Sequence, residues 1–198
     1  MMRSLQYALG GTLALLGVGL SAPLRSEEAD VFSFIPAGGR MLLGELIDGG
    51  LPEAERAEIF SGKRSVDEWQ DFLQAGKGAI PGLSEFDDYQ QRTLAQYLAA
   101  TMPLSVGTQM TGDALKEALP QDGRDLTLTF CQSCHIITVV VTQERTKEAW
   151  LGTMNKPSHI EIALSATGRD ALADYLVTNG GIPIEQVPEE LRAGGASY

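Results

Sequence analysis

Apolar residues in this chain recur mostly at helical spacing. Met41-Leu42-Leu43-Gly44-Glu45-Leu46-Ile47 follows Gly38-Gly39-Arg40 with the period of a helix face, and Asp48-Gly49-Gly50 ends it. Residues 52–60 form a second helical pattern with proline just inside its start. Ser65-Val66-Asp67-Glu68 is a capping-box sequence opening a third helix through Trp69, Phe72 and Leu73. After a loop rich in Gly and Pro, residues 86–102 predict a longer amphipathic helix with Leu94, Tyr97 and Leu98 on one face and Pro103 as its stop. Asp122 is the expected N-cap of a short helix over residues 123–131. The β-branched run Ile136-Ile137-Thr138-Val139-Val140-Val141-Thr142 is expected as an extended apolar wall. Residues 26–35 read as an acidic, irregular segment, and residues 184–198, with Pro188 and Gly194-Gly195, as a linker or a partner-wrapping tail.

The pattern begins again after Pro103. Gly38-Gly39-Arg40-Met41-Leu42 resembles Asp122-Gly123-Arg124-Asp125-Leu126 as a helix start. Arg64-Ser65-Val66-Asp67-Glu68-Trp69 resembles Arg145-Thr146-Lys147-Glu148-Ala149-Trp150 at an offset of 81. Gln91-Arg92-Thr93-Leu94-Ala95-Gln96-Tyr97-Leu98 resembles the stretch from Gly168 to Leu176, with Tyr175 at an offset of 78 from Tyr97. Three anchors in one order point to two related helical modules. An offset of 81 sets Gly50, Glu53 and Ala54 opposite Cys131, Cys134 and His135, so whatever chemistry those three support is confined to the second module.

The N-terminus adds a compartment. Arg3 precedes an apolar run at residues 5–20, and Ser21-Ala22-Pro23 follows, which reads as a secretory signal peptide over residues 1–21. The run is short for a membrane span and diluted by Gly10, Gly11, Gly17 and Gly19, so no stable span is expected after cleavage, an uncleaved anchor being the alternative. A formal charge of −11 over 198 residues argues against nucleic acid or an anionic membrane as partner and favours a docking partner with a basic patch.

The only two cysteines stand in Cys131-Gln132-Ser133-Cys134-His135. Thiols at this spacing on a last helical turn can each add to one vinyl group of a porphyrin, with the following histidine beneath the iron, so the motif predicts one covalently attached haem c. A thioredoxin-type couple needs a βαβ setting that the pattern lacks, and a zinc site needs ligands beyond these three, of which His159 is the only other histidine. A plain Cys131–Cys134 disulfide is the remaining alternative. Thioether attachment outside the cytoplasmic membrane and an export signal agree on a periplasmic location.

With the Asp-Gly-Arg-Asp-Leu helix start running into this motif, the Arg-Thr…Trp segment and the closing Tyr175-Leu176 helix, residues 122–183 resemble small class-I-type c cytochromes, above all the cytochrome subunits of periplasmic dehydrogenases such as sulfite dehydrogenase and quinohaemoprotein amine dehydrogenase. Residues 38–105 share the resemblance only through the repeat. It implies an all-α fold: a haem-less, cytochrome-like module over residues 22–105, a haem-binding module over residues 106–183, and a tail. It also implies a methionine as second iron ligand, for which Met154 matches; His159 is the rival. The chain departs from the common pattern in having no proline about ten residues after the motif and Thr127 where an aromatic is usual. The function so implied is single-electron transfer, not catalysis, between a dehydrogenase and a downstream cytochrome or oxidase. A haem with an open sixth position, acting as a ligand sensor or peroxidase-like enzyme, is the alternative. Trp150 and Tyr175 are candidates to line the haem or to fill core, and Arg145, Lys147 and Lys156 to pair with its propionates.

Overall fold

The first helix of each half starts on a glycine because another helix crosses there at backbone distance. In the computed structural model, which describes residues 31–104 and 111–192, α1 (Gly39–Asp48) is crossed by α4 (Asp88–Thr101), and α6 (Gly123–Leu126) by α10 (Ala166–Asn179). A Cβ on Gly39 would lie 2.1 Å from Tyr97 Cβ, and one on Gly123 would lie 2.2 Å from Tyr175 Cβ, well inside contact distance. The tyrosines then reach across the repeat. Tyr97 donates its hydroxyl to Pro120 O at 2.9 Å, and Tyr175 donates to Pro36 O at 2.6 Å, each proline standing three residues before the other half's glycine.

A single carboxylate caps both glycine-led helices. Asp122 accepts from Asp125 N at 2.9 Å within a capping box on α6 and from Arg40 N at 2.8 Å on α1. Its counterpart in the first half is Gly38, where a Cβ would fall 2.0 Å from Asp122 Oδ2. Burial is the largest influence on Asp122 and raises its pKa, against the lowering effect of the amides that donate to it.

The other elements repeat as well. α3 (Val66–Gly76) and α8 (Lys147–Met154) start at Ser65 and Thr146, whose side chains accept from Glu68 N and Ala149 N. Arg64 lies 4.6 Å over the Trp69 ring and Arg145 lies 4.7 Å over the Trp150 ring. α4 and α10 pack on each other between the halves, where Thr93 and Asn179 share a buried hydrogen bond. Counted from Gly39 and Gly123, Ile47, Gly50 and Leu51 stand opposite Cys131, Cys134 and His135. The register of 81, and with it Gly50, Glu53 and Ala54, holds at the tryptophan helices and not at the first helix of each half. On either count the first half offers no thiol or imidazole.

Every regular element among the described residues is helical, so the chain is all-α. Two apolar clusters form, and they do not follow the expected boundary near residue 105. The first includes Leu115 and Leu119, from and just after α5 (Gly112–Ala118), with Trp69, Ile80, Leu83 and Phe86. The second draws in Ile35, with Phe32 and Phe34 packed against it. Each cluster thus takes apolar side chains from the segment leading into the other half, and the described residues form one compact unit.

Several expectations change. Pro52 is the N-cap of α2 (Glu53–Ser61) rather than its first residue. The β-branched run is not extended: it forms the helical turn α7 (Thr138–Val141), because Ile137, Val140 and Val141 sit at i, i+3 and i+4 and all face the second cluster. Burial at helical spacing overrides β preference there. The tail up to Arg192 is packed, not loose. Val187 is buried and Thr138 Oγ1 donates to Leu191 O at 2.6 Å. The expected leader at residues 1–21 lies outside the described residues, as do residues 193–198; no helix among the described residues is long and apolar enough to cross a membrane.

Candidate functional site

The helix carrying the cysteine motif changes pitch as it reaches it. α6 continues as a π-helical turn over Thr127–Cys131, a widening that often marks functional sites. The chain then folds onto one carbonyl: Cys134 N and His135 N both donate to Cys131 O, at 3.3 and 3.0 Å, and Ser133 Oγ donates to Phe130 O. Cys131, Cys134 and His135 are thereby brought to the wall of a single cavity of about 500 Å³. That volume falls within the roughly 300–1,000 Å³ of sites that take a small molecule or cofactor.

The rest of the wall comes from α7, α8, α10 and the chain between α8 and α10. It is largely apolar, with Val139, Val140, Leu164, Leu172 and Leu176 among its residues. Both candidates for a second iron ligand line it. Met154 lies one helical turn after Trp150 on the buried face of α8. His159 is on the single turn α9 (Pro157–Ile160). The rings of His135 and His159 stand with centroids 6.2 Å apart and planes inclined at 26°. His159 Nδ1 pairs with Ser158 Oγ at 3.1 Å.

The cationic candidates separate. Arg145 lines the cavity, held over Trp150 and donating to Ala149 O. The buried Trp150 Nε1, a donor, has no hydrogen-bond partner. Lys147 instead bridges Asp170 and Asp174, at 3.3 and 2.9 Å, and Lys156 is exposed and away from the wall. Tyr175 also lies elsewhere, in the crossing with Gly123.

One wall residue, Arg169 on α10, stands out by its buried guanidinium. It donates to Met154 O, to His159 O at 3.2 Å and to Ile162 O at 3.2 Å. Three carbonyls of one irregular segment are satisfied by one side chain, which fixes that segment against α10. At the repeat offset of 78 its counterpart is Gln91, also buried, which donates to Phe86 O in the matching segment of the first half. There Ile80, Leu83 and Phe86 turn inward and pack in the first cluster with Leu73. Sequence reasoning missed Arg169: the repeat aligns it with Gln91, but the burial of both emerges only in the fold.

Both cysteines are free thiols. Burial, and after it the neighbouring Cys134, push the Cys131 thiol up to about 11. Such a thiol is protonated at neutral pH, unlike the lowered thiolates of disulfide oxidoreductases. Among the described residues no group of three or more His, Cys, Asp or Glu side chains is gathered to hold a bare metal ion. What the arrangement offers is two thiols and an imidazole on one side of an apolar cavity, a thioether and a second imidazole on its wall, and polar donors at Arg145 and Trp150. No protein-family model, no curated protein and no solved structure matches the chain.

Proposed function

We propose that the chain is a mono-haem c-type cytochrome of the periplasm that carries single electrons, as acceptor subunit or partner of a dehydrogenase. The observation that carries this reading is the convergence of Cys131, Cys134 and His135 on one cavity of about 500 Å³ with an apolar wall. Each thiol would add across one vinyl group, sulfur to one carbon and its proton to the other, so that attachment needs no oxidant. A thiol pushed up by burial, as Cys131 is, argues against a thiol–disulfide exchange role. His135 would supply the proximal imidazole. When bound, the iron supplies a one-electron couple, and the residues around it tune its potential through ligand identity and burial.

The chain's own groups fit such a guest. The apolar side chains of the wall would pack against a flat nonpolar guest, and the unpartnered Trp150 Nε1 and the Arg145 guanidinium offer donors for acidic substituents. Two further side chains able to ligate iron line the cavity, so nothing favours an open sixth position. The first half, with no thiol or imidazole opposite the motif and its interior filled by Ile80, Leu83 and Phe86, would be a haem-less cover. A net charge of −11 supports a dehydrogenase, cytochrome or oxidase partner with a basic face. The test is a spectroelectrochemical titration of protein exported by a host that matures c-type cytochromes. One reversible one-electron wave with sharp reduced-state bands is expected; protein with no redox-active chromophore refutes the reading.

A further inference from the structure

We infer that His159, rather than Met154, is the second axial ligand, which rests on the haem reading above and makes the site a bis-histidine one. The first ground is spacing. A first-row metal holds an imidazole nitrogen at about 2 Å, and a ring built of bonds near 1.33 Å has its centre roughly 1.1 Å behind that nitrogen. Two imidazoles on opposite sides of one iron therefore have ring centres about 6 Å apart. The His135 and His159 ring centroids lie 6.2 Å apart with planes inclined at 26°, a separation that would hold one iron between ring nitrogens turned toward each other.

The second ground is what holds His159 there. Its Nδ1 is engaged by Ser158 Oγ, which leaves Nε2 as the nitrogen to ligate. Its backbone carbonyl is one of the three fixed by Arg169, so the turn that presents the ring is anchored to α10 rather than free to swing. Arg169 is a positioning residue in this scheme. In the first half, whose segment presents no ligand, a shorter Gln91 holds one carbonyl.

The third ground concerns Met154, which already has a role. It is 9% exposed and belongs to the apolar cluster with Ile35, Trp150 and Leu172. Methionine commonly fills irregular gaps of this kind. The remaining ligands would come from the porphyrin, so a histidine pair suffices where no larger ligand group is gathered among the described residues.

The experiment uses the full, haem-loaded chain and reads ligation by optical and electron paramagnetic resonance spectroscopy. The expected ferric protein is low-spin and lacks the weak red band of sulfur-to-iron charge transfer. Met154→Leu leaves that spectrum unchanged, and His159→Ala opens a site that takes up carbon monoxide in the ferrous state. His159→Met, which keeps a ligand and guards against a loss of folding, introduces the sulfur band and raises the reduction potential. A sulfur band in the wild type that vanishes in Met154→Leu and survives in His159→Ala overturns His159 while leaving the haem intact. Absence of covalent haem overturns the reading beneath it as well.

Discussion

Removing the Asp122 carboxylate, by Asp122→Ala, strips the cap from two helices at once. The carboxylate is 3% exposed and accepts from Asp125 N and Arg40 N at 2.9 and 2.8 Å. A lost N-cap costs typically about 1 kcal/mol, which sets a floor of about 2 kcal/mol for two. Water reaches this position poorly, and a buried donor left unsatisfied costs roughly 1–3 kcal/mol, so about 2–4 kcal/mol is expected. For a chain of this size each kcal/mol lowers the melting temperature by roughly 2–4 °C. The comparison variant is Asp87→Ala, which removes the exposed capping box of α4 alone and should cost about 1 kcal/mol. Urea unfolding of both, followed by far-ultraviolet circular dichroism, measures the difference; equal costs would refute the double cap. The pH dependence has a definite sign. Asp122 has its folded-state pKa raised above the model-peptide value of 3.8, chiefly by burial, so its contribution to stability is greatest below that value and is lost as pH rises through the folded pKa. The stability of wild type relative to Asp122→Asn should therefore improve as pH falls from 7 toward 4.

Three further variants probe the packing. Gly123→Ala forces a methyl to 2.2 Å from Tyr175 Cβ and 2.7 Å from Ala171 O, so it should cost at least the roughly 1–3 kcal/mol of overpacking, measured by thermal melting. Tyr175→Phe removes the bond to Pro36 O and should cost about 0.5–1.5 kcal/mol by urea unfolding. Arg169→Gln leaves at least two carbonyls of residues 154–162 unmatched and should cost about 2–4 kcal/mol, with protease cleavage between α8 and α10 rising more than elsewhere.

Local chemistry was the legible part of this chain. The five-residue motif, the Ser65 and Asp122 caps and the helical periods could be read directly, since each depends on neighbours within a turn or two. The repeat was legible too, and its crossed tyrosine bonds and paired Arg–Trp stacks give it physical content. The position of His159 was not, because it lies 24 residues from His135 on a separate element and meets it only through the packing of α8 and α10. Nor was Arg169: from the pattern alone an arginine near a helix start reads as exposed, and only the carbonyls of a folded-in segment explain its burial. The β-branched run misled for a similar reason. Its identity favours a strand, while its i, i+3, i+4 burial against the second cluster makes it helical. Val187 and Leu191 show the same for the tail, whose composition suggests a linker but which is buried at Val187 and held at Leu191 by Thr138 of the second half.

The central claim is that Cys131 and Cys134 bind one haem covalently, and the most direct measurement is the intact mass of the chain exported by a host competent in cytochrome c maturation. The account predicts a gain of one haem that survives acid–acetone extraction, is carried by a single bond in Cys131→Ala, and is lost when both cysteines are replaced. A chain that leaves the periplasm at its polypeptide mass, or whose haem extracts freely, would contradict it.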